Sequence, residues 1–195
     1  LNEAQAATIL SNLSRERSMP EFVGVFIPPR ERMEEYALSS RSEKYIELLA
    51  ETIVPAVEAK FAAYGSPPAK KGTRRLLVGP SFGGLVSAFS SIRYPALFPN
   101  MASQSGAFWY REAKITAELD RLESGKQLNW SLDAGFFEAE NLRQANFRFL
   151  ARAREKGIRT SYLDFPTAHR WIGWRGRLPA TLRSFFQKRN CEDLW

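Results

Sequence analysis

"VGPSFGGL", Val78 to Leu85, sets a serine between two glycines, directly after the apolar run "RRLLVG" and directly before "LVSAFSSI". A Gly-x-Ser-x-Gly string arises by chance in roughly one chain in twenty of this length, so the flanks carry the meaning. A strand, a sharp turn and a helix hold a nucleophilic serine in a strained conformation, and only glycines let the flanking backbone pass close by. Such a turn exposes the Ser81 hydroxyl at the carboxyl end of a sheet. It also sets the Phe82 amide, at a helix N-terminus, to receive a developing oxyanion.

Working outward, short β-rich runs alternate with longer helical ones, the pattern of a parallel sheet with crossover helices. "EFVGVFI" (Glu21 to Ile27), ended by Pro28-Pro29, reads as a strand buried on both faces. "RRLLVG", "NMASQSG", "LNWSLDAG" and "RTSYLDF" complete an expected set of five. Residues 2 to 13 are helix-like, and Ser40 with Glu43 makes a capping box. The helix it opens carries Ile46, Leu49, Ile53 and Val57 on one face, with a kink expected at Pro55. Leu142, Ala145, Phe149 and Ala153 form another stripe, closed by Gly157, and a helix containing "LPATLRSFF" ends the chain.

The 195 residues, 44% hydrophobic and 25% charged, suit one soluble α/β domain spanning 1–195. No apolar run is long enough for a helix to cross a bilayer, and "LNEAQAATIL" lacks the zones of a signal peptide. The expected compartment is the cytoplasm, with periplasm or secretion as the alternative where a leader has been removed. Cys191, the single cysteine, rules out an intrachain disulfide and a thiolate metal cluster. Neither metal nor organic cofactor is expected. The net charge of +7 is scattered, and its densest patch, "AKKGTRR" (Ala69 to Arg75), reads as a solvated loop. That argues against nucleic acid and a membrane surface, and favours an anionic small molecule.

A serine hydroxyl needs a base, and histidine is the usual one. His169 is the only histidine; "FPTAHRW" follows the last expected strand and would carry it to the sheet edge of Ser81. The acid should follow the penultimate strand. Glu138, in "GFFE", is the first choice because it lies past the strand end. Asp133, inside the strand, is the alternative acid, Asp164 the third, and a pair without any acid stays open.

"RLLVGPSFGGLVSAFSSIRYPALFPNMASQSGAFWY", "GFFEAENLRQANFRFLARAREKG" and "FPTAHRWIGWRGRLPATL" together resemble the enterochelin esterase (Fes-type) and putative esterase family of α/β-hydrolases. The resemblance runs from about residue 5 to 187 and implies a three-layer sandwich around a mostly parallel sheet, with Ser81 as nucleophile and His169 as base. It further implies substrate-binding roles for Arg32 and Glu35, in "RMEEY", and for Trp109, Tyr110 and Trp174, aromatics where the family's cleft is lined. Family members cleave carboxylic esters, among them those of catecholate siderophores, and related enzymes act on aryl esters. Arg170 follows the histidine where the family often has aspartate. In this fold the first strands, and the loop giving a second oxyanion amide, precede the helix at 2–13. An N-terminally incomplete domain lacking those strands is therefore expected, and with it a homodimer formed through exposed sheet. The expected activity is serine ester hydrolysis. The alternative is a weak or inactive hydrolase scaffold that binds an aromatic or anionic ligand or a protein partner.

Overall fold

Four of the apolar runs become strands: β1 (Leu76–Pro80), β2 (Asn100–Gln104), β3 (Asn129–Gly135) and β4 (Arg159–Phe165). In this computed structural model, which describes residues 4–16, 19–20, 22–62 and 75–186, they form one wholly parallel sheet in the order β1-β2-β3-β4. Parallel neighbours require crossovers, supplied by α5 (Phe82–Arg93), α6 (Glu112–Asp120) and α7 (Glu140–Glu155). The remaining helices are α1 (Ala6–Arg15), α2 (Arg32–Tyr36), α3 (Ser40–Leu48), α4 (Val54–Ala62) and α8 (Trp171–Phe186).

Side chains alternate across a strand, and here the two faces have different tasks. Met101, Trp130 and Leu132 point to the crossover helices and join Leu85, Phe89 and Phe149 in the main core. Trp130 stacks on Phe149 and donates its indole N–H to Ser91 of α5 at 2.9 Å. On the other face, Gln104 donates to the Trp174 carbonyl and Asp133 meets Arg177, both partners lying on α8. The result is helix, sheet, helix: the α/β three-layer arrangement expected from the sequence.

Of the expected strand at 21–27, residues 22–27 do not form one. Residues 22–29 run as irregular chain next to β1, separated from it by a small cavity lined by Val25, Ile27, Leu76 and Val78, among others. Val23, Val25 and Phe26 are exposed. An apolar run becomes a strand only where a neighbour takes its amides and carbonyls. Among the described residues, β1 pairs with β2 alone. The capping box also sits one residue earlier than Ser40/Glu43: Ser39 accepts from the Arg41 amide while Ser42 accepts from the Ser39 amide. The helical path continues through Pro55. The missing amide is accommodated by a π-helical turn, Leu49–Ile53, between α3 and α4. Leu142, Ala145, Phe149 and Ala153 are all buried on α7, and Gly157 adopts φ 79° after it, as a helix end asks. Of "AKKGTRR" only Arg75 is described, paired with Glu58, and Cys191 lies outside the described residues.

Candidate active site

Because all four strands run parallel, the loops that follow them open at one edge of the sheet. Ser81 follows β1, Ser105 follows β2, Glu138 follows β3 and His169 follows β4. Ser81 has φ 56° and ψ −121°, a conformation rare for a side-chain-bearing residue. It is held from several directions: its amide donates to the Gln104 carbonyl at 2.9 Å, and its carbonyl accepts from Gly84, Leu85 and Ala107. A Cβ on Gly79 would run into the backbone of Gly83, so the glycine is what lets strand end and helix start approach this closely. The Phe82 amide is the first of α5 and has no intrahelical acceptor.

The Ser81 hydroxyl lies 3.1 Å from Nε2 of His169. Nδ1 of the same ring is 3.5 Å from Oε1 of Glu138, whose side chain is wholly buried while that of His169 is 38% exposed. The imidazole rests edge-on against Trp174, centroids 4.8 Å apart. Ser81, His169 and Glu138 are therefore brought together. The alternative acids are not: Asp133 makes an ion pair with Arg177 at 2.5 Å, and Asp164 accepts from the Tyr162 hydroxyl at 3.0 Å.

Around the serine, Phe82 packs edge-on with Tyr110 and Trp109, at 5.1 and 6.4 Å, and the Arg32 guanidinium lies 5.3 Å over the Phe82 ring. Trp109 is exposed, as are Trp171 and Ile172 just after His169. Glu35 is turned elsewhere, accepting from the Arg30 amide at 3.0 Å. Prolines 28 and 29 have no amide hydrogen and that of Arg30 is committed to Glu35, so this stretch presents no free backbone donor. Trp174 is buried, with its indole N–H given to Ser105.

Sequence reasoning passed over Ser105 and Arg177. Ser105 is fully buried, and its Oγ donates to Glu138 Oε1 at 2.5 Å. Arg177 reaches Asp133, Ser105 and Thr167. A signal existed: Gly173, Trp174 and Arg177 share one buried stripe of α8, and a charge on such a stripe needs a buried partner.

Burial pushes the Asp133 carboxyl up to about 7, against the opposing pull of Arg177. Between about pH 4 and 7 the folded chain thus retains a proton there that the unfolded chain, at its ordinary value of 3.8, has released. This group's contribution to stability is complete below about pH 4 and is lost as pH rises through about 7. Thermal melts from pH 5 to 8 are expected to show Tm falling with pH. Asp133→Asn should lower Tm overall but flatten that fall, and an equally steep fall in the variant refutes the assignment.

Among the described residues, no group of three or more His, Cys, Asp or Glu side chains is placed to hold a metal, and no helix is long and apolar enough to cross a membrane.

The model of a family described as "Putative esterase" matches residues 1–185. The chain is 28% identical over 130 residues to the uncharacterized protein YbbA of Bacillus subtilis (strain 168), covering 60% of this chain and 50% of that one. It is 25% identical over 186 residues to the iron(III) enterobactin esterase of Escherichia coli O6:H1, covering 91% of this chain and 45% of the enzyme. Among solved structures, the enterobactin esterase FES of Shigella flexneri, crystallised with 2,3-dihydroxy-N-benzoyl-glycine, superposes with a TM-score of 0.76 at 22% identity. That match covers 90% of this chain and 47% of the other. The chain spans about half the length of the curated relatives it matches.

Proposed function

Since the chain belongs to the "Putative esterase" family, and is of its Fes type by its similarity to enterobactin esterases, we propose that it hydrolyses carboxylic esters by two-step acyl transfer through Ser81. The observation that carries this reading is the 3.1 Å contact between Ser81 Oγ and His169 Nε2 on a turn strained to φ 56°. His169 takes the hydroxyl proton as Oγ bonds to the ester carbonyl carbon, and the carbonyl oxygen becomes an oxyanion received by the Phe82 amide at the start of α5. As the tetrahedral centre collapses, the bond to the leaving alkoxide breaks and His169 gives it the proton. Water then repeats the sequence on the acyl-serine, releasing the acid and restoring the hydroxyl. Glu138 faces Nδ1 throughout, keeps the Nε2 lone pair toward Ser81 and balances the imidazolium.

The substrate proposed is a small ester with an aromatic or anionic acyl part. The exposed Trp109, packed with Tyr110 against the buried Phe82, gives stacking surface beside the nucleophile, and Arg32 brings positive charge to the same cluster. Siderophore-type and other aryl esters both satisfy this chemistry. The test is intact-protein mass spectrometry before and after a fluorophosphonate. One adduct is expected on the parent protein and none on Ser81→Ala; a folded parent protein that stays unmodified sinks the proposal.

A further inference from the structure

Ser105 owes its interest to what surrounds its hydroxyl. The residue is fully buried and has φ 52°, a conformation glycine would adopt without strain but without an oxygen to offer. Its Oγ has three neighbours: the Trp174 indole N–H at 3.0 Å, the Arg177 guanidinium at 3.2 Å and Oε1 of Glu138 at 2.5 Å. An indole N–H and a guanidinium can only donate. Both serine lone pairs are taken, so the single hydroxyl proton has one destination, the Glu138 carboxylate.

That carboxylate has little else to orient it. Its Oε2 is buried with no hydrogen-bond partner among the described residues, so Oε1 carries both the serine contact and the approach to His169. Arg177 reaches Asp133 at 2.5 Å and Ser105 at 3.2 Å, so its contact with the Glu138 side runs through the serine hydroxyl. We infer that Ser105 is a positioning residue, fixed by Trp174 and Arg177, which locks Oε1 of Glu138 toward Nδ1 of His169. The imidazole is thereby kept in the tautomer that presents the Nε2 lone pair to Ser81. This rests on the assignment of Ser81, His169 and Glu138 above, and acts through the ring, because which nitrogen carries the proton is set by the bond the other makes.

His169 is the only histidine, so the ring nitrogens of selectively 15N-labelled protein give one pair of histidine signals that needs no assignment. At a pH where the ring is neutral, the parent protein should show the proton on Nδ1. Ser105→Ala should shift it toward the mixed tautomers of free histidine, and Glu138→Gln should shift it too. Combining the two should add nothing to Glu138→Gln alone. On an aryl ester, Ser105→Ala should lower kcat by about tenfold or more with KM unchanged. A parent-like tautomer in Ser105→Ala, or a further shift when it joins Glu138→Gln, overturns the inference. Should Ser105→Ala not fold, Trp174→Phe keeps a ring against His169 and removes the indole N–H. A partial shift in the same direction is then expected, and an unchanged spectrum refutes the role. The tautomer is read without turnover, so an inactive parent protein whose ring still responds to Ser105→Ala would count against ester hydrolysis and not against Ser105.

Discussion

On the proposed mechanism, His169→Ala should lower kcat for ester hydrolysis by about a millionfold, and adding Ser81→Ala should remove almost nothing more. In the proposed mechanism nucleophile and base form one device: without the base the hydroxyl keeps its proton, and without the hydroxyl the base has nothing to activate. What persists, about a thousandfold over the uncatalysed reaction, should come from the Phe82 amide and from binding. The side chain of His169 is 38% exposed, and Ser105 still donates to Glu138 after its loss, so the melting temperature should barely move. The check is kcat for parent, single variants and double variant on one aryl ester, with melts alongside. Losses that multiply would mean the two residues act independently, and the proposed mechanism would fail.

Arg177→Met should destabilise the fold by about 3–5 kcal/mol, a large part of the roughly 5–15 kcal/mol that holds an ordinary domain together. The arginine side chain is 2% exposed and that of Asp133 8%, so the substitution strands a buried carboxylate. It also removes the contacts to Thr167 and Ser105. Burial already lifts the Asp133 carboxyl to about 7 with the guanidinium pulling the other way, and without that pull it climbs further. The deficit should therefore shrink as pH is lowered from 8 toward 5, because the variant then buries a neutral acid. Chemical denaturation across that range measures it, with Asp133→Leu/Arg177→Met expected to recover most of the loss. A deficit independent of pH would show that packing, and not the ion pair, accounts for it.

Much of this arrangement could be read from residues, because its signals are local. Leu142, Ala145, Phe149 and Ala153 announce a helix face by spacing alone, and Gly79-x-Ser81-x-Gly83 announces a turn too tight for side chains. Glu138 was preferable to Asp133 on equally local grounds, since one lies beyond the strand end and the other within it. What escaped depends on partners far along the chain. Whether residues 22–29 form a strand is decided by what lies beside them, and their own apolar run says nothing of that. Ser105 and Arg177 are 72 positions apart, and neither advertises the other until α8 packs on the sheet. The capping box slipped by one residue because consecutive serines, Ser39 and Ser40, are equally able to cap.

The strand order β1-β2-β3-β4 has a consequence for synthesis. A ribosome releases the parts of the site in the order in which they lie across the sheet: Ser81, then Ser105, then Glu138, then His169, with Trp174 and Arg177 behind it. The proposed nucleophile emerges first and the group proposed to arm it almost last. On the proposed mechanism, a nascent chain that has not yet placed His169 beside Ser81 should carry an ordinary serine, inert toward esters. On that mechanism, activation waits for the loop that carries His169 and for α8, whose Trp174 packs against the ring.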